Sequence, residues 1–159
     1  MRMKANWKTY ALWILGTEAV GALSGFLTRE GSRLFRDTVA QPPLSPPAIV
    51  FPIVWGILYA LMAWGAARVD LAPASDARSA ALRLYLVQLA VNFFWSILFF
   101  NLQAWLLSLL WLVLLWVLVW RLKRAFTAVD ALAGRVQIPY LLWVSFAAYL
   151  NAGVWLLNR

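Results

Sequence analysis

Three sets of side chains have the types and spacings needed to hold a flat molecule. Phe51, Trp55, Tyr59 and Met62 recur at helical intervals. So do Gln88, Asn92, Trp95 and Phe99, with Ser96 alongside, and again Tyr140, Trp143, Ala147 and Asn151, with Ser145 alongside. Residues three or four apart share one helix face, so each set is a stripe mixing aromatic rings with amide or hydroxyl groups. Such rings stack with planar ring systems. A few amides and hydroxyls then orient carbonyl or carboxylate substituents. Ahead of the first stripe stand Pro42, Pro43, Leu44, Ser45, Pro46 and Pro47. Proline lacks an amide donor and pushes the preceding residue out of helical geometry. This segment is therefore expected to form a stiff lid over the stripes, and Pro43 is counted with the ligand-contacting residues.

Other chemistry has little to work with. The chain has no cysteine and no histidine. Disulfides, thiolate catalysis, Cys-ligated metal and the commonest general base are excluded, and no metal site is expected. An iron porphyrin would be gripped by its ring and propionates, since axial ligation would need an unusual donor such as Tyr or Met. Glu18 is the lone carboxylate deep in an apolar run, too little for paired-carboxylate hydrolysis. It should face the bundle or be protonated. Electron or energy transfer from tryptophan to a bound chromophore needs no titrating group and stays open. So does a plainer reading, in which Gln88, Asn92 and Asn151 only join helices through hydrogen bonds worth about 0.6 kcal/mol each. Three stripes under one lid favour a polar-lined pocket.

The elements that must position these groups are membrane spans. Of 159 residues, 64% are hydrophobic and 13% charged, the mean hydropathy is +0.75, and there are 11 tryptophans. That composition reads as an all-α integral membrane bundle. The tryptophans are too many for interfacial belts alone, so some should line the interior. Five spans are expected at about 7–27, 48–69, 80–100, 105–120 and 136–157, in a single domain over 1–159. The first is read as a retained span, because no Ala-x-Ala cleavage site follows it. Gly21 and Gly25 fit a close helix contact. Residues 28–47 form a long loop that should be ordered, with part of it helical and Leu34 and Phe35 pointing down. Asp70–Ser79 is a polar connection able to cap the next helix. Residues 101–104 make a turn so short that spans three and four must be antiparallel neighbours. Span four, apolar all round, is the one of the five most expected to face lipid, and it should stop at Arg121, Lys123 and Arg124. Pro139 sits in the first turn of span five.

The net charge of +8 is accounted for by basic loops, and no nucleic acid is expected as a partner. Ten Lys and Arg fall on the N-terminal side of the spans, including Arg2, Lys4 and Lys8, against four on the other. The positive-inside rule then puts the N-terminus in the cytoplasm and the proline lid on the outer face. No internal repeat marks an inverted-repeat transporter.

The chain resembles the TspO/MBR family, the tryptophan-rich sensory proteins related to the mitochondrial translocator protein, or peripheral-type benzodiazepine receptor. The resemblance runs from about Trp7 to Asn158. It is carried by Gly21 to Gly25, Pro42 to Pro47, Val50 to Trp55 with Leu58 and Tyr59, Gln88, Asn92, Trp95 and Ser96 with Phe99 and Phe100, and Pro139, Tyr140 and Trp143 with Ala147 and Asn151. It implies five transmembrane helices, often dimeric, with a porphyrin such as protoporphyrin IX or haem as ligand and no required cofactor. By the same resemblance Trp55 and Trp143 flank the ligand, Asn92 is a polar site residue and Ala147 a wall residue. The implied role is sensing, regulation or transport of tetrapyrroles. The alternative is light-dependent porphyrin breakdown, with Trp55 and Trp143 as the catalytic pair. The family's sterol pattern is not met, because the next basic residue after Tyr149 is Arg159 and the pattern allows a gap of about five.

Overall fold

The computed structural model describes residues 2–159, with side chains from residue 6 onward, and is all-helical among them. Arg2 and Lys4, counted in the charge asymmetry, lie outside the described side chains. The helices are α1 (Arg2–Leu27), α2 (Arg29–Thr38), α3 (Val50–Asp70), α4 (Asp76–Ser96), α5 (Trp105–Val129), α6 (Ala131–Arg135) and α7 (Ile138–Asn158). α4 runs on into one wide turn of π-helix, Ile97–Asn101. Five stretches are long and apolar enough to cross a membrane: Asn6–Leu27, Val50–Asp70, Asp76–Asn101, Trp105–Val129 and Ala131–Asn158. A helix of about 20 residues rising about 1.5 Å per residue matches a hydrocarbon core of about 30 Å. The chain is a multi-pass membrane protein.

Local chemistry fixes the ends. Ser75 caps α4 by accepting from the Arg78 amide at 3.1 Å. Asp130 caps α6 by accepting from Ala133 N at 2.9 Å, and its carboxylate also takes two hydrogen bonds from Arg68. Pro139 stands in the first turn of α7, where a missing N–H is harmless. Residues 102–104 fold α5 back against α4 as an antiparallel neighbour, with Gln103 at a left-handed φ of 50°.

Four expectations are corrected. α5 does not stop at Arg121, Lys123 and Arg124 but continues to Val129. Leu122 and Phe126 are fully buried there, continuing the stripe of Leu112, Leu115 and Val119 at intervals of three and four. The cations lie on other faces, and the Arg124 guanidinium sits 5.0 Å over the Trp120 ring. α5 is also not the most lipid-exposed span. It packs on both α4 and α7, whereas α1 buries 11% of its most apolar stretch against 28% for α5. In α2, Phe35 turns inward onto Phe99 and Phe100, but Leu34 points outward. Of the two glycines on α1, Gly21 receives the Tyr59 ring so closely that a Cβ would collide with it, while a Cβ at Gly25 would meet no other element within 4 Å.

Candidate functional site

A cavity of about 780 Å³ lies beneath the lid, between α1, α3, the end of α4, and α7. Small-molecule sites run to roughly 300–1,000 Å³. Phe51, Trp55 and Tyr59 line it from α3, Trp95 and Phe99 from α4 and its π-turn, and Trp143, Ala147 and Asn151 from α7. The rings brace one another edge to face: Trp55 against Trp143 with centroids 6.3 Å apart, and Phe51 against Trp143 at 5.9 Å. A second hollow of about 460 Å³, bounded by Ile14, Ile57, Leu61 and Trp64, is an open apolar crevice with no polar group to orient a ligand.

The lid is ordered because α7 holds it. Asn158 clamps Ala40 from both sides, accepting from its amide at 3.1 Å and donating to its carbonyl at 2.8 Å. The Tyr149 hydroxyl donates to Pro43 O at 2.8 Å. Pro42 packs directly on Gly153, where a Cβ would come within 2.5 Å of the proline ring. Leu44 adopts a left-handed φ of 68°, and the Ser45 hydroxyl closes the turn onto Pro42 O. Pro42 is therefore buried and lines the cavity together with Pro46. Pro43, the proline singled out in the sequence, faces away and offers only its carbonyl, as an anchor for Tyr149. At the other edge Gly31 of α2 sits on Phe100 O, and Asn101 ties the π-turn to Leu27 O at 3.0 Å.

Gln88, Asn92 and Tyr140 are brought together, but below the cavity. Tyr59 donates to Asn92 Oδ1 at 2.9 Å, Asn92 Nδ2 donates to the Tyr140 hydroxyl at 2.6 Å, and Tyr140 donates to Gln88 Oε1 at 2.8 Å. Gln88 ends the chain on the Met62 sulfur at 3.9 Å. Each group is buried, and each takes part in at least one hydrogen bond, as a bilayer interior demands. Only Tyr59 belongs to both ladder and cavity wall. Asn151 is likewise engaged, accepting from Trp95 Nε1 at 3.1 Å and donating to Trp105 O at 2.9 Å.

Two cavity-lining polar atoms sealed from solvent have no hydrogen-bond partner, the indole nitrogen of Trp143 and Oε1 of Glu18. Arg29 and Arg36 of α2 line the cavity beside the lid, while Arg33 instead faces Glu30 at 3.7 Å. Among the described residues no cluster of three or more acidic or metal-ligating side chains could hold a metal ion. The sequence stripes did not point to Pro42, Pro46 and Gly153. The signal for Gly153 was a helical glycine in register with Tyr149.

Comparison with known proteins agrees along nearly the whole chain. The model of the TspO/MBR family matches residues 13–156. Protein CrtK of Rhodobacter capsulatus is 37% identical over 150 residues, which covers 94% of this chain and 92% of that one. The tryptophan-rich protein TspO of Chlorobaculum tepidum is 35% identical, covering 94% and 96%. The translocator protein of Sus scrofa is 34% identical, covering 91% and 89%. With a family match over most of its length and five membrane helices, this chain belongs to the TspO/MBR family.

Proposed function

We propose that this protein holds a porphyrin or related haem-pathway tetrapyrrole in the cavity beneath the lid, and acts in sensing, regulating or transporting such ligands. The observation that carries this reading is the cavity itself: an indole- and phenyl-walled space of about 780 Å³ with Arg29 and Arg36 at one edge. Aromatic walls favour a flat ring. Guanidinium groups favour carboxylate substituents through charge-assisted hydrogen bonds. The unpartnered Trp143 N–H is available to an acceptor on the ligand. The charge asymmetry supports a cytoplasmic N-terminus, with the lid on the opposite face. A homodimer belongs to this reading by family resemblance alone.

The test is quenching of tryptophan fluorescence by protoporphyrin IX in detergent. Wild type should bind saturably, and Trp55→Phe with Trp143→Phe should weaken binding about ten-fold, since two large stacking surfaces are cut back. Unchanged affinity in the double variant would remove the site from this cavity. A structural bundle without a small ligand would show no saturable quenching at all.

A second reading, light-driven porphyrin breakdown, draws support from the Trp55–Trp143 ring contact at 6.3 Å. Illumination of the complex separates the two. Loss of the porphyrin band with a defined product, dependent on both tryptophans, selects the enzyme. An unchanged spectrum selects the binder.

A further inference from the structure

Glu18 lines the same cavity, and the aromatic walls give it no role. Its Oε1 is sealed from solvent without a hydrogen-bond partner, and it joins none of the ion pairs among the described residues. Tyr59, on the same cavity wall, already gives its proton to Asn92. A carboxyl group set in hydrocarbon calls for a donor or a cation, and here the protein supplies neither. The arginines that line the cavity belong to α2, beyond the end of α1 at Leu27. That point is about 13 Å along the helix from Glu18 at about 1.5 Å per residue. The cavity thus has an acceptor at one level and cations at another.

A ligand that completes both levels has N–H donors at one part and carboxylates at another. Tetrapyrroles have this composition, but their shape decides whether the donors are reachable. In a closed porphyrin the N–H groups point to the ring centre, where a wall carboxylate cannot meet them. In an open-chain tetrapyrrole they lie along an accessible edge. We propose that Glu18 is the acceptor for the pyrrole N–H groups of an open-chain tetrapyrrole, whose acidic side chains lie toward Arg29 and Arg36. This makes Glu18 a specificity determinant for linear over closed rings. The inference rests on the tetrapyrrole reading above, and goes past it in naming the form of the ligand.

The experiment titrates wild type, Glu18→Leu and Glu18→Gln in detergent with three probes: biliverdin, biliverdin dimethyl ester and protoporphyrin IX. Hydrogen bonds to charged groups set the scale. Glu18→Leu should weaken biliverdin and its ester alike, on the order of ten-fold. Glu18→Gln, which keeps a carbonyl acceptor, should fall between. Protoporphyrin IX should bind Glu18→Leu as well as wild type or better, because a carboxylate has been removed from beside an acidic ligand. Leucine in a membrane span is well tolerated, so folding is not at stake. Biliverdin affinity unchanged in Glu18→Leu overturns the proposal. So does equal weakening of protoporphyrin IX, which would make Glu18 a shaping residue only. If wild type binds none of the three probes, the tetrapyrrole reading itself falls.

Discussion

Below Tyr59 and above it, the same helices carry phenols, amides and indoles in similar density, yet they are treated differently. Below, Tyr59, Asn92, Tyr140 and Gln88 close on one another in a buried ladder, and Thr17 meets Tyr85 at 2.7 Å. At that end Trp13 donates to Asp70 at 2.9 Å and Arg68 pairs with Asp130 at 2.8 Å. Oε1 of Gln137 is the exception there. From the level of Tyr59 up to the lid, Glu18 and Trp143 line an open space with polar atoms unmet. The contrast separates two uses of polarity in a bilayer. Where partners are internal, polar groups set helix register. Where they are missing, the groups are available to something that arrives.

Substitutions on the two sides should therefore fail in different ways. The largest effect is expected below. Asn92→Leu strands the Tyr59 hydroxyl and removes the amide donor to Tyr140, which keeps its bond to Gln88, and should cost about 2–3 kcal/mol of stability, read as a lowered thermal unfolding temperature in detergent. Protoporphyrin affinity, corrected for folded fraction, should barely move. A larger loss of affinity than of stability would erase the distinction. Next comes Asn158→Ala, which removes both lid clamps on Ala40, about 1–2 kcal/mol at the net worth of two hydrogen bonds. It should appear as faster ligand release and proteolysis in residues 39–49, with global unfolding little changed. Trp143→Phe keeps a ring but removes the unpartnered N–H. It should lower affinity a few-fold, about 1 kcal/mol, without loss of stability.

The smallest effect sharpens the lower side. The Arg68 guanidinium, hydrogen-bonded to Asp130, holds that carboxyl below its usual range, and the Ala133 amide adds to this. A carboxylate whose folded value is depressed stabilises the fold above its unfolded value of about 3.9. That contribution is lost as pH falls through the lower folded value. Asp130→Asn should thus reduce stability by under about 1 kcal/mol at neutral pH, as for other partly exposed pairs. The difference from wild type should fade in acid below that range. A difference that persisted there would assign the loss to the α6 cap instead of the ion pair.

The sequence is a good guide wherever one helix suffices to tell the story. The apolar runs place all five spans, although α4 begins at Asp76, ahead of the expected 80, because Ser75 caps it within the polar connection, and the period of three and four collects Trp55, Trp95 and Trp143 on faces that meet at one cavity. It misleads where two helices decide. Gln88 and Asn92 share a stripe with Trp95, but whether an amide faces a cavity or a neighbour depends on where the Tyr140 hydroxyl reaches from α7. The choice of Pro42 over Pro43 is made by Gly153, more than a hundred residues away. The end of α5 was hidden for a different reason. Three cations read as a boundary, although Leu122 and Phe126 carry the buried stripe on beneath them.

The ties of the proline segment to Ala40, Pro42 and Pro43 all come from α7. The cover is thus built onto the last helix, so its position over the cavity is set by residues more than a hundred positions further along the chain.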